Sequence, residues 1–97
     1  PIVIGVADIY AAIADPTRRL LLDELARADG QSLFELCSRL TMTHGVNSSR
    51  QAISQHLAVL ESAGLVSSAR VGRTKIHHLH TEPFREITER WPIPAKD

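Results

Sequence analysis

The sequence has 97 residues, of which 43% are apolar and 23% are charged. These values describe one globular domain, because a domain holds about 100 to 200 residues, and they exclude a catalytic cleft built between two domains. Eleven basic residues balance eleven acidic ones, so the net charge is zero with histidine neutral. The total charge by itself therefore gives no reason to expect nucleic acid as a partner.

The charges are unevenly distributed along the chain. Residues 1–40 hold six acids and four bases, residues 41–80 hold one acid and four bases, and residues 81–97 hold four acids and three bases. All five histidines also lie in the middle segment. A basic, histidine-rich centre between acidic ends indicates an anionic partner for one face of the protein.

Cys37 is the single cysteine, so the chain cannot form an internal disulfide, which favours a reducing compartment. The first residues lack the basic segment, long apolar stretch and cleavage site of a secretory signal. The apolar run 2–14 is interrupted by Gly5 and Asp8, and it is shorter than the roughly 20 apolar residues that cross a membrane. We therefore expect a cytoplasmic protein with no membrane partner.

Two helices are predicted in the first 30 residues. The first covers about residues 6–14. The second begins after Asp15, a suitable N-cap, and has Pro16 in its first turn, where proline is favoured. Its apolar stripe consists of Leu21, Leu22, Leu25 and Ala28. The pair Asp29-Gly30 is a typical helix end.

A short third helix is predicted to begin at Ser32. Ser32 and Glu35 have the spacing of a capping box, in which each side chain accepts a hydrogen bond from the other residue's backbone. Phe34 and Leu40 are its candidate core contacts. Residues 41–47 are predicted to form a loop, which could reposition the next helix, contact a partner through His44 and Arg50, or be a tolerated insertion.

The second half of the chain predicts a helix, a hairpin and a closing helix. Ser48-Ser49 caps a fourth helix that runs to Ala63, followed by Gly64. Segments 66–70 and 74–80 combine β-branched residues with an alternating pattern and predict two strands around a turn at Gly72. The last helix starts near Pro83 and carries Phe84, Ile87 and Trp91 at helical spacing. The predicted fold class is mainly α with a small β-hairpin.

Two helices joined by a turn and followed by a basic hairpin are the elements of a winged helix-turn-helix, residues 32–63 with a wing at 66–80. At 100° per residue, Ile53, Leu57 and Leu60 share one face of the fourth helix and are predicted to pack in the core. The opposite face carries Gln51, Gln55 and Ala58, flanked by Arg50 and Ser54.

This outward row has the chemistry of a DNA-reading surface. Glutamine can bond bidentately to adenine, arginine to guanine, and serine to a base edge or a phosphate. A solvated surface helix is also polar, so the row alone does not decide between the two interpretations. The wing favours DNA, because Arg70, Arg73 and Lys75 cluster there and no acid occurs among residues 62–81.

Three ordered motifs together resemble the ArsR-type (ArsR/SmtB) winged helix-turn-helix transcriptional repressors: residues 14–19 (ADPTRR), residues 53–66 (ISQHLAVLESAGLV) and residues 70–73 (RVGR). The resemblance covers about residues 8–85. It implies a homodimer whose terminal helices, within 1–14 and 83–91, form the interface. It also implies a palindromic DNA operator and relief of repression by an effector, which the sequence does not identify.

The resemblance also indicates which residues contact DNA. The recognition helix, residues 49–63, and the basic wing, residues 70–75, match the family's reading surface. The predicted DNA-binding residues are Ser49, Arg50, Gln51, Ser54, Gln55, His56, Arg70, Arg73, Thr74 and Lys75. Protonation of His56 and of the wing histidines would add positive charge, so the sequence predicts tighter DNA binding at about pH 6 than at about pH 8.

The two ends of the chain are unusually apolar for one small core. Residues 2–13 place apolar groups around much of the first helix, so exposed apolar surface is expected in a monomer. The predicted dimer contacts are Ile9, Ile13, Phe84, Ile87 and Trp91. The alternative is that both ends pack on the core of their own chain.

No metal, cofactor or catalytic site is predicted. Metal sensors of the family often carry a Glu-Leu-Cys-x-Cys thiolate pair, but here Arg39 stands where the second thiolate would be. A neighbouring cation could lower the pKa of Cys37, yet a single thiolate is not a soft-metal site. Zinc binding by the wing-strand histidines His77, His78 and His80 stays open as an alternative, because two of them share a strand face.

An enzyme is not expected, because the chain has no Gly-rich phosphate loop, Gly-x-Ser-x-Gly or His-Glu-x-x-His motif. A different alternative is a winged-helix module that recognises protein and has no DNA role. The sequence therefore predicts a homodimeric DNA-binding repressor in a single domain, residues 1–97. The alternatives are a protein-recognition module and a zinc-responsive repressor that uses the wing-strand histidines.

Overall fold

The computed structural model describes residues 8–96. Its elements are α1 (Ile9–Ala12), α2 (Pro16–Arg27), β1 (Gln31–Ser32), α3 (Leu33–His44), α4 (Arg50–Ser62), β2 (Val66–Val71), β3 (Thr74–Leu79), a 3-10 turn (Glu82–Phe84) and α5 (Arg85–Arg90). The predicted class, mainly α with a small hairpin, is confirmed. In the described part of the chain, no helix is long and apolar enough to cross a membrane. Part of the apolar segment 2–13 lies outside the described residues, namely Ile2, Val3, Ile4 and Val6.

Three helices begin at the side-chain caps that the sequence predicts. Asp15 Oδ2 accepts from the backbone N of Arg18 at 3.1 Å. The capping box at α3 is complete, because Ser32 Oγ accepts from Glu35 N at 3.2 Å and Glu35 Oε1 accepts from Ser32 N at 2.9 Å. Ser49 Oγ accepts from the third residue of α4 at 3.1 Å. Each cap satisfies a backbone donor that the helix itself leaves unpaired.

α3 is longer than the sequence predicts. It continues through His44 and ends at Gly45, whose φ of +66° closes the last turn, so residues 41–44 are helical and not a loop. His44 is held by α2, because its Nε2 lies 3.1 Å from Glu24 Oε2.

The core is formed by α1–α4 and the start of β2. Its buried members are Ile9, Ala12, Leu21, Leu22, Leu25, Leu36, Leu40, Ile53, Leu57, Leu60, Leu65 and Val66. The prediction for Phe34 is wrong, because its side chain is 65% exposed. Leu36 and Leu40, four residues apart, take the inward face of α3, and this phase turns Phe34 to solvent.

The hairpin belongs to a three-stranded antiparallel sheet in the order β1-β3-β2. β2 and β3 pair from Val66 with Leu79 to Val71 with Thr74, which leaves a two-residue turn. Gly72, the first turn residue, has φ +65°, as a type II′ hairpin turn requires. β1 was not predicted, because a two-residue strand has no periodicity of its own.

The last helix, α5, is short, and the residues around it pack only partly on the core. Phe84 and Ile87 are half-buried against it, while Trp91 is 58% exposed. The Trp91 ring makes an edge contact with Tyr10, with 6.1 Å between the ring centroids.

Candidate nucleic-acid interface

The outward face of α4 is mostly polar. Ile53 and Leu57 are buried on the inner face, as predicted. Gln51, Ser54 and Gln55 are exposed on the opposite face, and within residues 8–96 no hydrogen bond engages their side chains. These amides and this hydroxyl are therefore available to an external partner.

Arg50 lies at the start of α4, beside the exposed ring of α3. Its guanidinium carbon is 5.8 Å from the Phe34 ring centroid, within the range of a cation–π contact. Phe34 therefore lies on the surface next to the recognition helix. The contact leaves the donors of Arg50 at the edge of the outward row.

The wing presents three exposed cations. Arg70 and Lys75 are directly opposite each other on β2 and β3, and Arg73 lies in the turn beside them. All three are exposed, as is Thr74. Within the described residues, no carboxylate lies within 4.0 Å of any of the three cations. Like charges directly opposite on a sheet are destabilising, so this arrangement favours a bound anion.

The wing and the recognition helix share one surface. Ser54 and Ala58 of α4 line the same small cleft, about 180 Å³ in volume, as Lys75 of β3. Glu61 of α4 accepts a hydrogen bond from Ser68 Oγ of β2 at 2.9 Å, which ties the helix to the wing. One ligand can therefore contact both elements at once.

His56 does not belong to the outward row. Its side chain is 24% exposed, and its Nδ1 lies 3.1 Å from Arg18 Nη1 and 3.9 Å from Asp15 Oδ2. The ring is therefore directed towards the start of α2. The predicted contact between His56 and DNA stays a prediction that this orientation does not favour.

Comparisons with known proteins identify this arrangement. A family model described as a helix-turn-helix domain matches residues 13–69. Over 83 residues, the chain is 42% identical to YuzN of Bacillus subtilis (strain 168), an uncharacterized HTH-type transcriptional regulator, covering 86% of this chain and 90% of YuzN. The solved structure of an ArsR-like transcriptional regulator from Rhodococcus sp. RHA1 matches with a TM-score of 0.73 at 35% identity, over 89% of this chain and 72% of that one.

The chain belongs to the ArsR-type winged helix-turn-helix transcriptional regulators. The family predicted from the three sequence motifs is thereby confirmed. The chain is also 34% identical over 84 residues to the transcriptional repressor SdpR of Bacillus subtilis (strain 168), covering 81% of this chain and 80% of SdpR. These relatives are named as transcriptional regulators and not as enzymes, and membership of the family implies DNA as a partner.

In this ArsR-type chain the cysteine of α3 is not an activated thiolate. Burial raises the pKa of the Cys37 thiol, and the charge of Arg50 offsets only part of that rise. Arg39, the adjacent cation in the sequence motif, is instead bound to Glu24, with 3.1 Å between Arg39 Nε and Glu24 Oε1. A cation does act on Cys37, but it is Arg50 and its effect is smaller than that of burial, so the net shift of the thiol pKa is upward.

The histidines of the wing strand are engaged by other groups of the regulator. The contacts are His77 Nδ1 to Gln31 O at 3.0 Å, His78 Nδ1 to Asp29 Oδ2 at 2.9 Å, and His80 Nε2 to Ser67 Oγ at 2.6 Å. His77 is buried. Within residues 8–96, no group of three or more His, Cys, Asp or Glu side chains is arranged to hold a metal ion. These contacts give no support to the expected gain in DNA affinity at low pH.

The predicted dimer contacts differ in how much surface they offer. Ile9 is 4% exposed and packs in the core of its own chain, so little of its side chain is left for a partner. Ile13, Phe84 and Ile87 are half-buried against the same core. Trp91 is the member with most free surface, although Arg90 stacks on its ring at 4.6 Å.

Proposed function

We propose that this ArsR-type regulator is a cytoplasmic repressor that binds a palindromic operator as a homodimer. In this proposal, α4 of each protomer enters the major groove of one half-site, and the wing contacts the adjoining backbone. The partners are double-stranded DNA and a second copy of the chain. The relative SdpR is named as a transcriptional repressor, which supports repression as the outcome.

The observation that carries the proposal is the unneutralised charge of the wing. Arg70 and Lys75 face each other across the two strands, and Arg73 adds a third charge at the tip. A DNA backbone offers phosphates that neutralise such a cluster and release condensed counterions. The net charge of the chain is zero, so binding depends on this local patch and is strongly sensitive to salt.

Base reading is assigned to the free side chains of α4. Gln51 and Gln55 can each accept and donate towards adenine N6 and N7, Arg50 can bond guanine, and Ser54 can contact a base edge or a phosphate. Because Ser54 and Lys75 line one cleft, base and backbone contacts are made by a continuous surface. Ser49 caps the start of α4, and Thr74 directly follows the wing turn.

The homodimer is supported by exposed apolar surface at the end of the chain. Trp91 is 58% exposed, a large area for an aromatic side chain in a monomer. A two-fold dimer requires two half-sites about one helical turn of DNA apart, roughly 34–36 Å, or a multiple of that spacing. The operator is therefore expected to be an inverted repeat.

The test selects an operator from random-sequence duplexes with the wild-type protein. Fluorescence anisotropy then compares the selected duplex with a shuffled duplex of equal length and composition at moderate salt. We expect a preference of at least about 10³-fold and a slope of log affinity against log salt that reports several phosphate contacts. Sedimentation of the complex gives the number of protomers, for which we expect two.

Failure to prefer the selected duplex over the shuffled one would refute specific repression. Salt-insensitive association with a protein partner, in the absence of DNA binding, would support the protein-recognition module instead. For the zinc alternative, stoichiometric zinc that leaves the operator affinity unchanged excludes regulation by zinc at the wing histidines.

A further inference from the structure

Arg18 and Arg19 of α2 complete the end of α1. The last carbonyls of a helix lack partners within that helix. Arg18 Nε donates to Ala12 O at 2.8 Å and its Nη2 donates to Ala11 O at 3.2 Å, while Arg19 Nη1 donates to Ile13 O at 2.7 Å. The two arginines therefore hold α1 against the start of α2.

Arg18 differs from Arg19 because it also reaches the recognition helix. Its Nη1 lies 3.1 Å from Nδ1 of His56, 38 residues further along the chain. A guanidinium has only donors and keeps its proton, so Nδ1 of His56 must accept and the ring proton must reside on Nε2. Asp15 holds the backbone of Arg18, because its Oδ2 accepts from Arg18 N at 3.1 Å, and at 3.9 Å from His56 Nδ1 it lies beyond hydrogen-bond distance of the ring.

The position of His56 on α4 gives this contact a consequence for base reading. Ser54 and Gln55 directly precede His56 and are exposed on the outward face, while His56 is held on the inner flank. The apolar contacts of Ile53 and Leu57 bury that inner side but are non-directional. A directional hydrogen bond on the flank restricts rotation of α4 about its axis. Recognition side chains must be held to about 0.5 Å of their productive geometry.

We propose that Arg18 is a positioning residue that fixes α4 relative to α1 through His56, so that displacement of α1 changes operator affinity without any contact between Arg18 and DNA. The proposal rests on the proposed function, because α1 is part of the expected dimer contact and α4 is the expected reading helix. It assigns the motif of residues 14–19 the role of joining α1 to α4, the recognition helix, through the one guanidinium of Arg18.

The first measurement is made on the free protein. Long-range ¹H–¹⁵N spectra of the imidazole ring report which nitrogen of His56 carries the proton. We expect the Nε2–H form in the wild type and in Arg19→Met, and a loss of this bias in Arg18→Met. A wild-type ring with its proton on Nδ1 would overturn the proposal, whatever the DNA results.

The second measurement compares operator and shuffled-duplex affinities for four variants whose folding is checked by circular dichroism. Arg18→Met and His56→Leu remove the donor and the acceptor, and each is expected to lose about ten-fold of the preference, the effect of one charged hydrogen bond. His56→Gln keeps an acceptor oxygen and should recover most of that loss. Arg19→Met, the matched control, loses one contact to α1 and none to α4.

The outcomes separate this proposal from the proposed function. The salt slope should not change in Arg18→Met, whereas loss of a phosphate contact would reduce it by about one. Equal preferences in Arg18→Met and Arg19→Met, or a reduced slope, would overturn the positioning role. If the wild type shows no preference, the proposed function fails, and the ring spectra still decide whether Arg18 holds His56. Should Arg18→Met not fold, the contrast between His56→Gln and His56→Leu decides the DNA effect.

Discussion

Replacement of Glu24 by glutamine is expected to weaken the joint between α2 and α3. The carboxylate is 4% exposed and is shared by three donors: Oε1 is 3.0 Å from Arg27 Nε and 3.1 Å from Arg39 Nε, and Oε2 is 3.1 Å from His44 Nε2. Arg39 and His44 belong to α3, so one side chain of α2 holds the middle and the end of the next helix. Glutamine keeps the shape but lacks the charge.

The magnitude follows from the pKa of Glu24. Burial raises this pKa, but the hydrogen bonds from His44, Arg39 and Arg27 outweigh it and lower the pKa from 4.5 to about 2. Each unit corresponds to about 1.4 kcal/mol, so the lowering corresponds to about 3 kcal/mol in favour of the folded state. Arg27 and Arg39 are 49% and 40% exposed, and water weakens their share. We therefore expect Glu24→Gln to cost about 2 kcal/mol at pH 7.

The assay is urea and thermal unfolding of the wild type and Glu24→Gln from pH 7 down to pH 3, with Asp23→Asn, an exposed neighbour on α2, as the matched control. A cost of about 2 kcal/mol lowers the melting temperature of a domain of this size by about 10 °C. A group with a lowered pKa stabilises the fold above its unfolded pKa, and this contribution is lost as the pH falls from about 4.5 towards 2. The gap between wild type and variant should therefore narrow in that range. A cost equal to that of Asp23→Asn, or a gap independent of pH, would refute the reasoning.

Three further predictions concern the DNA surface, the core and the thiol. Gln55→Ala should relax base preference at one operator position, whereas Arg73→Ala should weaken all duplexes alike and reduce the salt slope by about one in anisotropy titrations; a uniform loss in Gln55→Ala would remove its base-reading role. Leu36→Ala should cost about 2–5 kcal/mol in urea unfolding and Phe34→Ala far less, because only Leu36 is buried; similar costs would contradict this assignment. Because the pKa of Cys37 is raised, its alkylation near pH 7, followed by mass spectrometry, should be slower than that of glutathione, and an equal or faster rate would contradict it.

Features that depend on neighbouring residues were predicted well. The caps of α2, α3 and α4 follow from a polar residue and a backbone donor three residues away. The inward face of α4 follows from apolar residues at a helical period, and the hairpin turn follows from Gly72 between two strand-forming segments. The helix, turn and wing that carry the candidate interface are therefore visible in the sequence.

Features that depend on distant residues were missed or mistaken. The phase of α3 was misjudged because both Phe34 and Leu36 are apolar, and only packing against the other helices decides which is buried. The sequence predicts the end of α3 too early, because His44 is held by Glu24, 20 residues away. The sequence predicts that His56 contacts DNA, because it lies on the recognition helix. Its contact with Arg18 is not visible in the sequence, because the two residues are 38 positions apart.

The sequence by itself determined the winged helix-turn-helix, the outward row of α4 and the basic wing, because local hydrogen bonds and side-chain periodicity extend over three or four residues. The tertiary structure decided how these parts are joined. Packing placed Arg18 against His56, buried Ile9 and left Trp91 exposed. Such contacts depend on how separate helices meet, and no spacing within one helix encodes that geometry.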